Sequence, residues 1–309
     1  MNFMKKNYKI FLFILGICLI IIGTCLIMFH KPNNKCEIIT VKNDYYVVNC
    51  DGNNFMNIPL YFSVNDSVFM SIENINNIYL TTEKNDEVIP LSIEEINYLK
   101  EIKEIDATYY QYDLKVNIDL NVDNLTIFDQ IYLVIDYDSG VNIKILIGSL
   151  CMYNYKQNNE IFYTSLKGVV KEYNNKKMLQ CVAVKLNTNE DIKIIDIVSL
   201  NNKINVDLEN SNVIDYVDDY HTPLDDFIDN NYNIIGKNMN QNNIIVSNGD
   251  YLLMYLQYDK YIEIPCVGFI IKYLKNGTVY EKVINPFMYY KTNNLDEEVI
   301  KLTYDSNNY

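Results

Sequence analysis

Residues Ile10 to Phe29 read IFLFILGICLIIIGTCLIMF, a run of twenty residues without a charge. As a helix rising 1.5 Å per residue, such a run spans about 30 Å, the thickness of a bilayer's hydrocarbon core. The helix satisfies its own backbone hydrogen bonds, which lipid cannot do. A cleaved signal peptide would have a shorter apolar region, roughly 7–15 residues, ending in a small-x-small site. A lipoprotein would use Cys25 after Ile22-Gly23-Thr24, but the apolar run continues through Leu26-Ile27-Met28-Phe29. The run predicts an uncleaved transmembrane anchor over 10–29, with everything after it on one side of a membrane.

Charge sets which side. Lys5, Lys6 and Lys9 precede the run without an acid among them, and all 40 Asp and Glu lie from Cys36 onward. Positive flanks stay in the cytoplasm. The expectation is a cytoplasmic N-terminus over 1–9, a linker over 30–35 and an extracytoplasmic bulk, in a single-pass protein of the cell membrane. The 309 residues carry a net charge of −14, and all 26 basic residues are Lys. A chain without Arg lacks the planar fork for carboxylates and phosphates, and an acidic one lacks the clustered cations that nucleic acids need. Neither a nucleic-acid partner nor a small-molecule substrate is expected. Two His, His30 and His221, are too few for most His-built metal and acid–base sites. No cofactor or metal is expected.

The outer part reads as strands. Only two Ala against 28 Tyr disfavours helices and suits pleated surfaces. Leu114, Val116, Ile118, Leu120 and Val122 alternate onto one face. Ile131–Tyr137, a turn at Asp138-Ser139-Gly140, and Val141–Ile147 form a hairpin pattern. Val267–Lys275, Asn276-Gly277 and Thr278–Ile284 form another, with the strongest two-residue hairpin signal. Two segments predict helix. Ser92-Ile93-Glu94-Glu95 is a capping box ahead of Ile93, Ile96, Leu99 and Ile102, giving a helix over 93–104. Thr222-Pro223 predicts a short helix over 223–229.

A weak repeat appears at an offset near 120. Ile72, Ile75, Ile78 and Leu80 match Ile192, Ile195, Val198 and Leu200; Ile147-Gly148 through Tyr153 matches Val267-Gly268 through Tyr273. Ser247-Asn248-Gly249-Asp250-Tyr251 resembles the approach to the tyrosine corner of immunoglobulin-like domains, which implies a sandwich over a barrel. The fold class expected is all-β: two tandem immunoglobulin-like β-sandwich domains, 36–166 and 167–292, each with a short crossover helix, behind the anchor, with a polar tail over 293–309.

Candidate chemistry is sparse. Cys36 and Cys50 flank two strand-like runs around Lys42-Asn43-Asp44; a hairpin centred on Asn43 would set them opposite each other as a candidate disulfide. Cys151, Cys181 and Cys266 read as small buried hydrophobes. His221 and Cys266 suggest a sortase-like cysteine transpeptidase, but that family's Arg is missing and Tyr261-Ile-Glu-Ile-Pro-Cys266 departs from its motif. Asp215, Asp218, Asp219, Asp225, Asp226 and Asp229 read as a solvated loop without calcium-loop spacing. Asp136–Gly140 reads as a turn. Tyr109-Tyr110 and Tyr289-Tyr290 could stack on sugars, though half-buried strand positions explain them as well. No catalytic residue is expected.

The reading is a non-enzymatic, membrane-anchored interaction or structural protein of the cell envelope, an accessory subunit of a membrane complex among its forms, with another envelope protein as partner. The alternatives are a glycan- or ligand-binding adhesion module and, more distantly, the transpeptidase.

Overall fold

The computed structural model describes residues 34–49, 54–65, 67–103, 108–119, 124–155, 161–216, 223–236, 243–291 and 297–304. The apolar run 10–29 lies outside them. Among the described residues no helix is long and apolar enough to cross a membrane. The architecture is an all-β sandwich of several sheets.

Eight strands surround a first core: β1 Asn34–Val41, β2 Asn43–Asn49, β3 Phe55–Phe62, β4 Ile75–Thr81, β5 Val88–Lys103, β6 Thr108–Ile118, β7 Thr126–Tyr137 and β8 Asn142–Asn154. They lie in the orders β1-β3-β6-β5 and β4-β7-β8-β2. β5 serves both layers, because Val88–Pro90 pair with β4 and Leu91–Lys103 with β6. Alternation decides what is buried. Tyr112, Leu114, Val116 and Ile118 of β6 enter one cluster with Leu80, Leu133, Ile135, Ile145 and Ile147. Leu120 and Val122, expected on the same face, lie outside the described residues.

Eight more strands surround a second core: β9 Ile161–Tyr173, β10 Lys176–Thr188, β11 Ile192–Ser199, β12 Ile204–Ile214, β13 Ile244–Val246, β14 Tyr251–Tyr258, β15 Cys266–Lys275 and β16 Thr278–Met288. Their orders are β9-β10-β14-β12 and β13-β11-β15-β16. β9 pairs along its whole length with β10, so it runs through position 166/167, where a boundary was expected. β14 is buried on both faces: Leu252, Met254 and Leu256 face this core, while Leu253 and Tyr255 are covered by Leu224, Ile228 and Tyr232. A last strand, β17 Glu297–Tyr304, returns to the first core and pairs antiparallel with β1. It lies within the segment expected to be a polar tail.

Both anticipated hairpins form. Asn276 and Gly277 take φ of 50° and 80°, the two positive values their turn requires. Asn174 and Asn175 do the same between β9 and β10, a hairpin that sequence reading misses because no Gly marks it.

The helix expected over 93–104 is strand β5. Register shifts between Ile93 and Glu95 and between Tyr98 and Lys100 mark two bulges. The first sets Ile93 opposite Val116 and Ile96 opposite Leu114, so an extra residue converts period two into the three-residue spacing of a helix. The helix expected over 223–229 is one 3-10 turn, Leu224–Phe227, without a side-chain cap; Thr222 lies outside the described residues. Neither crossover is an α-helix. The repeat is also corrected in part. β4 and β11 hold matching places in the sheet orders, whereas β8 and β15 do not; β15 matches β7.

Candidate functional site

Among the described residues a dense polar constellation joins the two cores. After β1 the chain crosses at Lys42 from one layer to the other and continues as β2, parallel to β8. Gly148 permits this: at φ +125°, a β-carbon there would sit 2.0 Å from the Asn43 carbonyl oxygen. β2 then points Asp44 and Tyr46 at the second half. The Asp44 carboxylate accepts hydrogen bonds from the Ser149 hydroxyl and from Asn201 Nδ2 (3.2 Å), and pairs with Lys203 Nζ at 3.5 Å. The Tyr46 hydroxyl donates to the Cys266 carbonyl at 2.8 Å and accepts from Asn201 Nδ2 at 3.1 Å. Asn201 is nearly fully buried, and its Oδ1 accepts from Lys203 N. On the same junction the Tyr153 hydroxyl donates to the Glu281 carboxylate, Tyr155 donates to the Glu281 carbonyl, and Asn202 donates to Asp129.

Beneath the polar groups lies a small apolar cluster. Cys151, Tyr153 and Tyr155 meet Leu200, Ile270 and Val283, flanked by Tyr46, Val48, Ile127 and Val198. Full burial of a large apolar side chain contributes about 1.5–3 kcal/mol relative to exposure. The junction is therefore held by apolar area, with hydrogen bonds fixing its geometry.

Its titratable groups are arranged for cohesion. Burial, then Asp44, pushes the Cys266 thiol up to about 11, and burial pushes the Cys151 thiol up to about 12. Burial and Asp44 also raise the Tyr46 hydroxyl far above its ordinary value. Thiols so placed are protonated at neutral pH, and thiolate is the nucleophilic form.

The sequence-derived candidates are scattered. Cys36 is buried in β1, where its Sγ donates to the Glu37 carbonyl at 3.6 Å. The hairpin that would set it against Cys50 is not formed: β1 pairs with β3 and β17, β2 with β8. Lys42-Asn43-Asp44 is a crossing between layers, not a reversal. Cys50 itself lies outside the described residues, as do His221, Asp218 and Asp219. Among the described residues no group of three metal-ligating side chains gathers. Asp225 and Asp226 lie on the 3-10 turn, and Asp229 Oδ1 accepts from Asn231 N. Asp138–Gly140 turn the β7–β8 hairpin, with Asp136 and Tyr137 ending β7. Tyr109 donates to Glu37, and Tyr110 packs on the first core. Tyr290 donates to the Lys177 carbonyl and accepts from Ile264 N, and Tyr289 packs on the second core. No sequence signal marks Asp44, Tyr46 or Asn201, because the bonds that join them to one another span more than a hundred positions.

No family model matches the chain, and no curated protein does. Among solved structures it is similar to one described as "Anomalous substructure of Titin-A168169". That match covers 80% of this chain and 96% of that one, at 7% identity and a TM-score of 0.18. It is also similar to the Streptococcus agalactiae AgI/II polypeptide BspA C-terminal domain, over 80% of this chain and 98% of that one, at 9% identity and a TM-score of 0.19.

Proposed function

We propose that this chain is a single-pass, membrane-anchored interaction and structural protein of the cell envelope. Its outer part is a pair of immunoglobulin-like sandwiches in tandem, divided just before β9. The sheet orders support the immunoglobulin-like reading. β1-β3-β6-β5 and β4-β7-β8 follow the A-B-E-D and C-F-G orders of that fold, and β9-β10-β14-β12 and β11-β15-β16 follow them again. On this assignment Tyr251 opens an E-type strand, so its likeness to a tyrosine corner, an F-strand feature, falls away.

The observation that carries the function is the junction. An apolar cluster and the Asp44–Asn201–Tyr46 bonds hold the halves as one body. A fixed composite surface suits presentation to a partner protein, and the protonated thiols of Cys151 and Cys266 suit a structural role. The test is chemical crosslinking in the native membrane followed by identification of what is captured. One envelope protein should be captured by the outer part. Capture should persist in Cys266→Ala and fall in Asp44→Ala/Asn201→Ala at matched abundance. Loss of cellular function in Cys266→Ala or His221→Ala, with the protein folded and abundant, would replace this reading with an enzymatic one.

A further inference from the structure

The two halves differ at one side. In the first half the side between β1 and β8 is closed, because β17 pairs along β1 and β2 pairs along β8. The corresponding strands of the second half are β9 and β16. Each is last in its sheet, and no described strand pairs with the outer edge of either. Large apolar side chains stand out here: Phe162 of β9 is 53% exposed, Phe287 and Met288 of β16 49% and 59%. Tyr163–Leu166 and Asn285–Phe287 line a shallow groove of about 310 Å³ between the two edges. Close by, the Tyr289 ring lies against Gly168 and Phe287, and its hydroxyl is buried without a hydrogen-bond partner. Bare strand edges beside exposed apolar side chains are templates for an added strand.

The first half indicates the occupant. The strand beside β1, which holds the place matching β9, is β17. Its eight-residue antiparallel register sets Ile300 opposite Ile38 and Leu302 opposite Cys36. It follows β16 in the chain yet pairs only in the other half, reached through residues 289–296. The net charges are opposite as well, positive on β9 with Lys167, Lys171 and Glu172 and negative on β17 with Glu297, Glu298 and Lys301, with Lys167 and Lys171 already donating to Tyr216 and Asn230.

We propose that the open side of the second sandwich is a strand-exchange interface between copies of this chain, in which β17 of one copy adds to β9 of another in the place it takes beside β1 of its own. Backbone hydrogen bonds are matched in the two arrangements. The exchanged form covers Phe162, Phe287 and Met288 and bares the outer edge of β1, so it gains on the single-copy form only as concentration rises. This rests on the correspondence of the sheet orders and not on the identity of any envelope partner.

The test uses the full chain in detergent micelles, as a mixture of light and isotopically heavy copies, with a benzophenone amino acid at Phe162. Irradiation should link light to heavy copies, with the adducts mapping to residues 297–304 and increasing with protein concentration. Deleting 297–309 should abolish them. Phe287→Asp/Met288→Asp, on two side chains about half exposed, should reduce them at least tenfold while a cooperative thermal unfolding transition is kept. Adducts confined to single copies, adducts between copies at any other segment, or adducts indifferent to the Asp substitutions would each overturn the proposal. Capture of a different envelope protein is scored separately, so the functional reading can stand or fall alone.

Discussion

At position 148 an alanine would put its β-carbon 2.0 Å from backbone that cannot move without lifting β2 off β8. Gly148→Ala should therefore cost about 3 kcal/mol in urea unfolding, whereas Gly140→Ala, with nothing within 4 Å and only a positive φ to bear, should cost about 1 kcal/mol. Asp44→Ala removes three partners at once. The ion pair with Lys203 is partly exposed and contributes little, so the expected loss of about 1–3 kcal/mol comes from Asn201 and Ser149, whose donors it leaves behind. Cys266 offers a pH readout. With its thiol pushed up to about 11 by burial and Asp44, its alkylation in the folded protein should accelerate only as the pH approaches 11. Acceleration centred near the ordinary thiol value would show Cys266 to be solvated, and the junction open.

At the scale of elements, what could be read depended on whether an element's partners were near in sequence. The hairpins β7–β8 and β15–β16 were legible because their turns are coded locally by Asp138-Ser139-Gly140 and Asn276-Gly277. β6 was legible because it alternates without interruption. β5 was not, since its bulges place Ile93 and Ile96 three apart, and a capping box happens to precede them. The pair β1 and β2 looked like a hairpin because a polar triplet separates two apolar runs; only the distant β8 and β17 reveal that the two strands belong to different layers. β5 allows a discriminating test. Deleting Glu94 removes the bulge residue and restores plain alternation, keeping Ile96 opposite Leu114, so stability should change by less than about 1 kcal/mol. In a helix the same deletion would rotate every later side chain by about 100° and ruin the core.

At the scale of the molecule, alkaline pH should be the weak flank. Burial raises the hydroxyls of Tyr46, Tyr232, Tyr258 and Tyr289 and the thiols of Cys151, Cys181 and Cys266. For each group the unfolded chain gives up its proton first, so stability is intact below the unfolded value and declines as pH rises above it. The urea midpoint should hold between pH 6 and about 8, then fall steadily from about pH 9. A flat midpoint to pH 11 would mean that these groups are hydrated in the native protein. Topology is tested on intact protoplasts: added protease should digest residues 36–309, and full protection until lysis would reverse the orientation. The junction would have been invisible in sequence by any local rule, because β2 and the β11–β12 turn that it grips lie far apart along the chain.

The pairing of β1 with β17 also has a meaning in time. A ribosome makes β1 among the first of these strands and β17 last, at about 5–20 residues per second. For tens of seconds the first sandwich has its hydrophobic core but not its closing strand. Its completion waits for residues 297–304 to be synthesised and, if the bulk is exported, delivered across the membrane. A chain interrupted anywhere before residue 297 leaves that seam unsealed, however well everything upstream has folded.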